Sequence, residues 1–405
     1  MNWDFLIKDK ESLSVSTDTR NLPTGCVYFA LRGETFDGNK FAKQALESGA
    51  SLAVIDNPEY ALPEGTLLVP NTLLALQDLA RAWRRELGLP IIGITGTNGK
   101  TTTKELLATV LSTKYNIHYT QGNLNNQIGV PLTLLQITRA HEMAIVEMGA
   151  SHPGDIKELV DIAEPNYGLI TNVGRAHLQG FGSFEGVQQT KRELYDYLVA
   201  HDGTIFRNAD NPYLEKMLLS ACENSKFKIQ NSKLYTTGTM PSGTNLVGDY
   251  NAENVSAAIC VGEHFGIARE QALEAIRQYV PTNKRSQFMQ THKNKLVVDA
   301  YNANPTSMFA SINAFEGDTF ILGEMKELGD YAHLEHQNIV NMLAERKATQ
   351  VYLVGKEWMQ TTAPYACFQD VAELREFILS HPIQNSHILL KGSRGVQLEK
   401  IIDLL

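Results

Sequence analysis

A short apolar segment, a glycine-containing loop and an amphipathic helix follow one another near residue 95. Ile91–Thr95 has the composition of a buried strand, and the loop that follows leads into a helix whose apolar residues share one stripe. Glycines let backbone N–H groups approach phosphate oxygens, and a helix N-terminus adds the positive end of its dipole. The pattern predicts a nucleotide phosphate site, with Lys100 at the terminal phosphates and the Thr101 hydroxyl available to Mg²⁺.

The loop departs from the general phosphate-loop pattern GxxxxGK[ST], because Ile94 stands where the first glycine is required. A glycine turn that contains a lysine by chance is the alternative interpretation. The apolar strand before the loop and the amphipathic helix after it favour phosphate binding. The loop alone does not separate a kinase, a motor ATPase and a ligase. The predicted phosphate-binding residues are Gly96, Thr97, Asn98, Gly99, Lys100, Thr101 and Thr102.

Composition narrows the class of protein. The 405 residues suggest about two to four domains at roughly 100–200 residues each. The net charge of −9 argues against a nucleic-acid partner, whose binding surface would be basic. We expect neither a signal peptide nor a membrane span, because the N-terminus is charged throughout and apolar runs are short, and we expect a cytoplasmic location. No CxxC pair occurs, so free thiols are expected at Cys26, Cys222, Cys260 and Cys367.

Strand-like and helix-like segments alternate along the chain, which predicts an α/β fold with parallel sheets covered by helices. We expect a helix over residues 73–85, which ends before the Gly and Pro of residues 87–90. We divide the chain into three units, at residues 1–86, 87–281 and 282–405. The strand candidates are residues 27–30, 52–55, 91–95, 144–148, 168–173, 296–301, 319–322, 351–354 and 387–390.

Residues 96–101, GTNGKT, resemble the phosphate loop of the Mur ligases, a family of cytoplasmic enzymes that add amino acids to the peptidoglycan precursor. The resemblance covers nearly the whole chain. Residues 16–20, 27–34 and 36–38 resemble the family's UDP-binding domain, although Thr17 and Thr19 stand where serine is common. Residues 123–131, NLNNQIGVP, are similar to the segment that faces the γ-phosphate and the acyl acceptor. The resemblance implies a small α/β UDP-binding domain, a central parallel-sheet P-loop ATPase domain and a C-terminal Rossmann-like ligase domain.

Three stretches of the last unit resemble the branch of the family that adds D-alanyl-D-alanine to UDP-N-acetylmuramoyl-tripeptide. They are residues 299–308 (DAYNANPTSM), 323–329 (GEMKELG, with His336) and 391–395 (KGSRG). The resemblance implies a monomeric ATP-dependent ligase that forms an acyl phosphate and then an amide bond. The implied substrate-binding residues are Thr17, Asp18, Thr19, Arg20, Asn123, Asn125, Asn126, Asn302, Asn304, Lys391 and Arg394.

Glu147 ends a strand-like run and precedes a glycine. A carboxylate at the carboxyl end of a strand faces the ligand crevice of an open α/β sheet, and its hard oxygens suit Mg²⁺. An acidic residue at the edge of the sheet, in solvent, is the alternative. The family resemblance favours Glu147 and Thr101 as ligands of one Mg²⁺.

The resemblance also implies a second Mg²⁺ site, at His177 and a carbamylated Lys191. Imidazole is an unusual ligand for Mg²⁺, and a lone histidine is more often structural. A neutral lysine amine can add CO₂ and become a carboxylate-like group, but an ordinary exposed helix lysine is the alternative. The implied catalytic residues are Lys100, His177, Lys191 and Arg285.

Residues 251–258, NAENVSAA, resemble the family helix that faces adenine, which implies that Asn251 and Asn254 contact the base. A capped amphipathic helix is the alternative. Arg285 and Asp299 match third-domain residues expected at the phosphates and the ribose. A guanidinium supplied by another domain can stabilise charge on a phosphoryl group in transfer.

Three other functions remain open at the level of sequence. The first is another amide ligase of the superfamily, of the single-amino-acid or folylpolyglutamate type. The second is a kinase, and the third is a nucleotide-binding regulator without catalysis. For the expected ligase, the third residue of the tripeptide (meso-diaminopimelate or L-lysine) is also open.

Overall fold

Three separate β-sheets organise the computed structural model, which describes residues 1–223, 225, 232–281, 285 and 287–405. The first sheet has four short parallel strands in the order β1-β2-β3-β4. Its two inner strands are largely buried, as expected for a parallel sheet. The strands are β1 (Val15–Ser16), β2 (Val27–Phe29), β3 (Leu52–Ile55) and β4 (Thr66–Leu68).

The second sheet has six parallel strands in the order β10-β9-β8-β5-β7-β6. They are β5 (Ile91–Thr95), β6 (Ile117–Tyr119), β7 (Met143–Glu147), β8 (Tyr167–Ile170), β9 (Thr204–Asn208) and β10 (Lys233–Tyr235). Strand β5 lies between β7 and β8, and Ile94 is in register with Glu147. The phosphate-type loop and Glu147 therefore leave the sheet at the same edge.

The third sheet also has six strands, in the order β11-β12-β16-β13-β14-β15, and β11 is antiparallel to its neighbour. Asp299 and Lys391 are in register at the ends of adjacent parallel strands. The strands are β11 (Gln287–Gln290), β12 (Lys295–Asp299), β13 (Thr319–Gly323), β14 (Gln350–Val354), β15 (Ala366–Phe368) and β16 (His387–Lys391).

Helices cover these sheets, and none of those in the described residues has the length and apolar character that a membrane crossing needs. They are α1 (Asp4–Ile7), α2 (Ala42–Glu47), α3 (Thr72–Leu87), α4 (Lys100–Leu111), α5 (Gly129–Leu135), α6 (Asp155–Ala163), α7 (Leu178–Phe181), α8 (Phe184–Ala200), α9 (Pro212–Cys222), α10 (Asn251–His264), α11 (Arg269–Gln278), α12 (Pro305–Ala314), α13 (Ala332–Glu345) and α14 (Val371–Ser380).

Helix α3 joins the first two sheets. It ends at Leu87, where Gly88 adopts a φ of 63°, so the predicted break is confirmed. Its Trp83 is fully buried and donates from Nε1 to the Ile137 carbonyl at 2.8 Å, within the second unit. Arg84 donates to the Glu164 carbonyl at 2.9 Å. The helix therefore packs on α5 and α6 of the second unit, and it also contacts β2 of the first sheet.

The predicted α/β class with parallel sheets is confirmed, and each predicted strand overlaps an observed one. The limits between units at 86/87 and 281/282 stay predictions, and residues 282–284 lie outside the described part of the chain. The four cysteines are free, as expected; Cys26 is buried and the other three are partly exposed.

Candidate functional site

A cavity of about 1150 Å³ opens where the second sheet faces the third. Its lining includes the loop after β5, Glu147 at the end of β7, and the segments that follow β12 and β16. These segments all leave the carboxyl ends of parallel strands, where α/β folds bind ligands. No residue of the first unit, 1–86, lines the cavity.

Two glycines let the loop after β5 fold tightly. Gly96 has a φ of 143° and Gly99 a φ of 79°, both in the region that favours glycine. A Cβ atom at Gly96 would collide with the Thr171 hydroxyl, and one at Gly99 would collide with the Asn254 amide oxygen. Helix α4 begins directly after Gly99, so its free N–H groups face the loop.

The Lys100 ammonium is held inside this loop. Its Nζ donates to the carbonyls of Gly96 at 2.6 Å and Thr97 at 3.2 Å. Burial lowers the pKa of Lys100 to about 8; nearby Glu147 acts in the opposite direction, and the positive charge of Arg285 lowers the pKa further. A cation held at the centre of the loop is suited to an anionic phosphate.

Glu147 is 1% exposed, so the alternative of an acidic residue in solvent is wrong. Its Oε1 accepts hydrogen bonds from Asn125 Nδ2 at 2.9 Å and from the Thr101 hydroxyl at 3.3 Å. Its Oε2 is buried without a hydrogen-bond partner, and Lys104 Nζ lies 3.8 Å away. A buried carboxylate oxygen left free beside a hydroxyl is a donor set that fits Mg²⁺.

His177 faces the third unit. Its Nδ1 contacts the Glu327 carboxylate, and both residues have positive φ, 51° and 65°. Such backbone strain in non-glycine residues is concentrated at functional sites. Within the described residues, no group of three or more His, Cys, Asp or Glu side chains is arranged to hold a metal ion. A metal role for His177 stays a prediction.

Lys191 is 2% exposed, so it is not the ordinary surface lysine of the alternative interpretation. Burial holds its pKa well below the usual range, and the charge of Lys100 lowers the pKa further. Its Nζ lies 5.6 Å from the centre of the Phe181 ring. Burial favours the neutral amine, which is the form that can add CO₂. The carbamate itself stays a prediction.

Asn254 supports the phosphate-type loop from behind. Its Oδ1 accepts from the Thr103 hydroxyl at 3.0 Å, and its Nδ2 donates to Asn251 Oδ1 at 3.0 Å. Asn251 in turn donates to the Val247 carbonyl at 2.8 Å. Both asparagines also line the cavity. Their expected contact with a base stays a prediction.

The third unit supplies the opposite wall. Asp299 and Lys391, which were expected at a ligand, form an ion pair with each other. The Asn304 amide donates to Asn98 Oδ1 at 2.7 Å and so joins the third unit to the loop. Asn302 lines the cavity, and its side chain accepts from the Ala303 N–H at 2.9 Å.

The remaining expected substrate residues fall into two groups. Asn123, Asn125, Asn126 and Arg394 line the cavity. Residues 17–20 lie outside it. There, Asp18 pairs with Arg20 at 2.6 Å, and this hydrogen-bonded guanidinium lowers the pKa of Asp18 to about 2.

Several residues of the cavity were missed at the level of sequence. His152 and Asp155 follow β7 within eight residues of Glu147, so their position after a strand end was an available signal. Glu253 stands between the two asparagines of α10. Tyr301 and Glu327 lie inside stretches noted above, but no role was assigned to them.

Family models cover most of the chain. The Mur ligase middle domain matches residues 94–262, and the Mur ligase glutamate ligase domain matches residues 284–394. A third model, the catalytic domain of the Mur ligase family, matches residues 13–84.

Among curated proteins, a UDP-N-acetylmuramoyl-tripeptide–D-alanyl-D-alanine ligase of Bacillus subtilis is 34% identical, over 96% of this chain and 92% of the relative. The Escherichia coli protein of the same name is 32% identical, over 97% and 93%. The crystal structure of MurF ligase from Thermotoga maritima in complex with ADP has a TM-score of 0.84 and 25% identity, and covers 98% of both chains. A MurF structure from Acinetobacter baumannii has a TM-score of 0.83 and 29% identity, over 96% and 92%.

Proposed function

Because the chain belongs to the Mur ligase family, we propose that it joins D-alanyl-D-alanine to UDP-N-acetylmuramoyl-tripeptide with the hydrolysis of ATP. The product is the UDP-N-acetylmuramoyl-pentapeptide of peptidoglycan precursor synthesis. The observation that carries the reaction class is the cavity itself, where a phosphate-type loop, a buried carboxylate and four cationic side chains of the third unit meet. The names of its full-length relatives support the choice of substrates.

The first step activates a carboxylate. An oxygen of the tripeptide's terminal carboxylate attacks the γ-phosphorus, and the bond to the β-phosphate oxygen breaks, giving an acyl phosphate and ADP. Lys100, held by two loop carbonyls, offsets the negative charge that gathers there. The ADP bound in the Thermotoga maritima relative supports ATP as the nucleotide.

The second step forms the amide. The amine of D-alanyl-D-alanine attacks the acyl carbon, the carbon–oxygen bond to phosphate breaks, and phosphate leaves while the nitrogen loses a proton. Two contacts close the third unit over the loop. They are the hydrogen bond between the amides of Asn98 and Asn304 and the ion pair between Arg175 and Glu335, at 2.9 Å. Closure excludes water, which would otherwise hydrolyse the acyl phosphate.

Magnesium fits the donor atoms described above. Thr101 and Glu147 would hold one ion, and His177 with a carbamylated Lys191 would hold a second. When bound, Mg²⁺ supplies positive charge that neutralises the phosphate oxygens. The buried Oε2 of Glu147 and the lowered pKa of the buried Lys191 amine support this assignment.

The other binding roles are part of the same proposal. The residues that bind ATP are 96–102, Asn251, Asn254, Arg285 and Asp299. The residues that bind the UDP-linked substrate and the dipeptide are 17–20, Asn123, Asn125, Asn126, Asn302, Asn304, Lys391 and Arg394. We also propose a cytoplasmic location, a monomeric state and unit limits at 86/87 and 281/282.

Phosphate release tests the proposal. Release should require both UDP-N-acetylmuramoyl-tripeptide and D-alanyl-D-alanine, and the pentapeptide should be identified by mass. ATP hydrolysis that does not change when the dipeptide is omitted would contradict it. A kinase would leave phosphate on its product, and a regulator would form no ADP. A folylpolyglutamate-type ligase would accept glutamate instead. Tripeptides with meso-diaminopimelate and L-lysine, assayed side by side, identify the third residue.

A further inference from the structure

The ring of Tyr301 lies between two arginines at the edge of the cavity. The guanidinium carbon of Arg285 is 4.0 Å from the ring centre, and that of Arg394 is 5.7 Å away. Both distances fall within the range of cation–π attraction, which favours a guanidinium over the face of an aromatic ring. All three residues line the cavity, and they come from three different parts of the chain.

Neither guanidinium group has an ion-pair partner among the described residues, and both lie near the same ring. A carboxylate could also fix an arginine, but it would neutralise the charge and occupy the N–H donors. A ring fixes the plane of the guanidinium and leaves the donors at its edge free for an anion. This support therefore suits arginines that must bind phosphate oxygens.

Arg285 lies close to the phosphate-type loop. Both side chains line the cavity, and the charge of Arg285 is one of the causes that lower the pKa of Lys100. Tyr301 is the second residue of the loop that follows β12, and Ala300, between it and Asp299, is 3% exposed. The ring is thus anchored to a buried strand of the third sheet, while Arg285 precedes that sheet.

We propose that Tyr301 is a positioning residue that holds Arg285, and with it Arg394, towards the terminal phosphate of the nucleotide. The inference rests on the proposed function and deepens it. Tyr301 does not touch the reacting atoms and acts through the two guanidinium groups. Its ring is required and its hydroxyl is not.

Steady-state kinetics of Y301F and Y301L test the proposal. Y301F should keep kcat within about twofold, and Y301L should lower kcat about tenfold, the size expected for loss of a cation–π contact at a partly desolvated site. The KM for D-alanyl-D-alanine should change less than about twofold, because the ring acts on the phosphate end. Y365L, in the third unit and outside the cavity, is the matched control.

A double-mutant cycle separates positioning from a general structural role. In an R285A background, Y301L should lower kcat by less than about a further twofold, because the effect of Tyr301 passes through Arg285. Thermal melting of each variant verifies folding. The proposal is overturned if Y301F lowers kcat as much as Y301L does. It is also overturned if the reductions of kcat by Y301L and R285A multiply in the double variant.

A binding measurement separates this inference from the ligase assignment. Calorimetry with a non-hydrolysable ATP analogue needs neither the tripeptide nor the dipeptide. Y301L should bind the analogue a few-fold more weakly and ADP unchanged, because ADP lacks the terminal phosphate. If the wild type shows no dipeptide-dependent phosphate release, the proposed function fails while this result still stands. If Y301L lowers neither kcat nor analogue affinity, the role of Tyr301 is excluded.

Discussion

The two walls of the cavity are built in different ways. On the wall of the second sheet, Glu147 and Lys100 are fixed by hydrogen bonds within that same unit, to Asn125, to Thr101 and to the loop carbonyls. On the wall of the third sheet, polar side chains pair with each other, as Asp299 does with Lys391, or they reach across the cavity. The first wall is held within its own unit, whereas the second is held in part by contacts that cross to the first.

This difference predicts that substitutions on the two walls reduce activity in two different ways. Substitutions on the first wall should lower kcat, because they remove charge or donors at the reacting phosphate. Substitutions at the contacts that cross between walls should raise KM with a smaller change in kcat, because they disturb assembly of the closed state. The four predictions below test this division, from the largest expected effect to the smallest.

K100M should lower kcat by about 10³-fold, the upper range for loss of one charge-stabilising group at a transition state. Phosphate release under saturating substrates measures it. K114M is the matched control, since Lys114 follows the same helix and donates to the Phe265 carbonyl at the surface. Activity within tenfold of the wild type would show that the first wall does not act on the phosphate.

K191A should lower kcat by about 10²-fold, because the buried amine and any carbamate on it are lost. Added short-chain carboxylates should restore part of the activity by entering the space that the side chain leaves. K157A, at an exposed lysine paired with Asp161, should retain full activity and show no response to carboxylates. A loss without recovery would weaken the carbamate and leave the ligase assignment in place.

R175A removes an ion pair that crosses between the walls, to the 5%-exposed Glu335. Because the arginine is half-exposed, we expect only about a three- to tenfold rise in the KM for D-alanyl-D-alanine and a kcat within about twofold. R269A, which breaks a pair with Glu263 away from the cavity, is the control. A fall in kcat at constant KM would contradict the division between walls.

T103V should destabilise the first wall without touching a substrate. It removes the donor to Asn254, which packs against Gly99, at a cost of about 1 kcal/mol. The melting temperature should fall by about 2 °C, measured by scanning calorimetry. T109V, whose hydroxyl bonds only within its own helix to the Glu105 carbonyl, should change it less. Equal shifts would show that the contact with Asn254 adds nothing.

The sequence alone was enough to predict the strands that lead to the first wall, although the buried inner strand β9 was missed. Strands β5 and β7 are continuous apolar runs, and Glu147 ends one of them, so its position at the cavity followed from topology. Short edge strands such as β6 and β10 were missed, because their half-exposed residues show no apolar run. Periodicity responds to burial, and these strands have little of it.

The second wall was harder to predict, because its contacts join residues far apart in sequence. The burial of Lys191, on α8 of the second unit, was also hidden, because Gln189 and Arg192 beside it are polar and the burial comes from packing of α8 against the second sheet. The stack of Arg285 on Tyr301 links two elements, and no local pattern announces it. Asp299 and Lys391 were each expected at a ligand, and their mutual pairing required the register of β12 and β16.

Helix α3 has a consequence for dissecting the chain into fragments. Its Trp83 and Arg84 fill the surface formed by α5, α6 and the loop after each. A fragment that starts at residue 87 would leave that apolar surface bare, and we expect it to aggregate on expression. A fragment that starts at Thr72 includes helix α3, which buries that apolar surface. The shortest usable nucleotide-binding piece of this protein should therefore begin inside what the sequence assigns to the first unit.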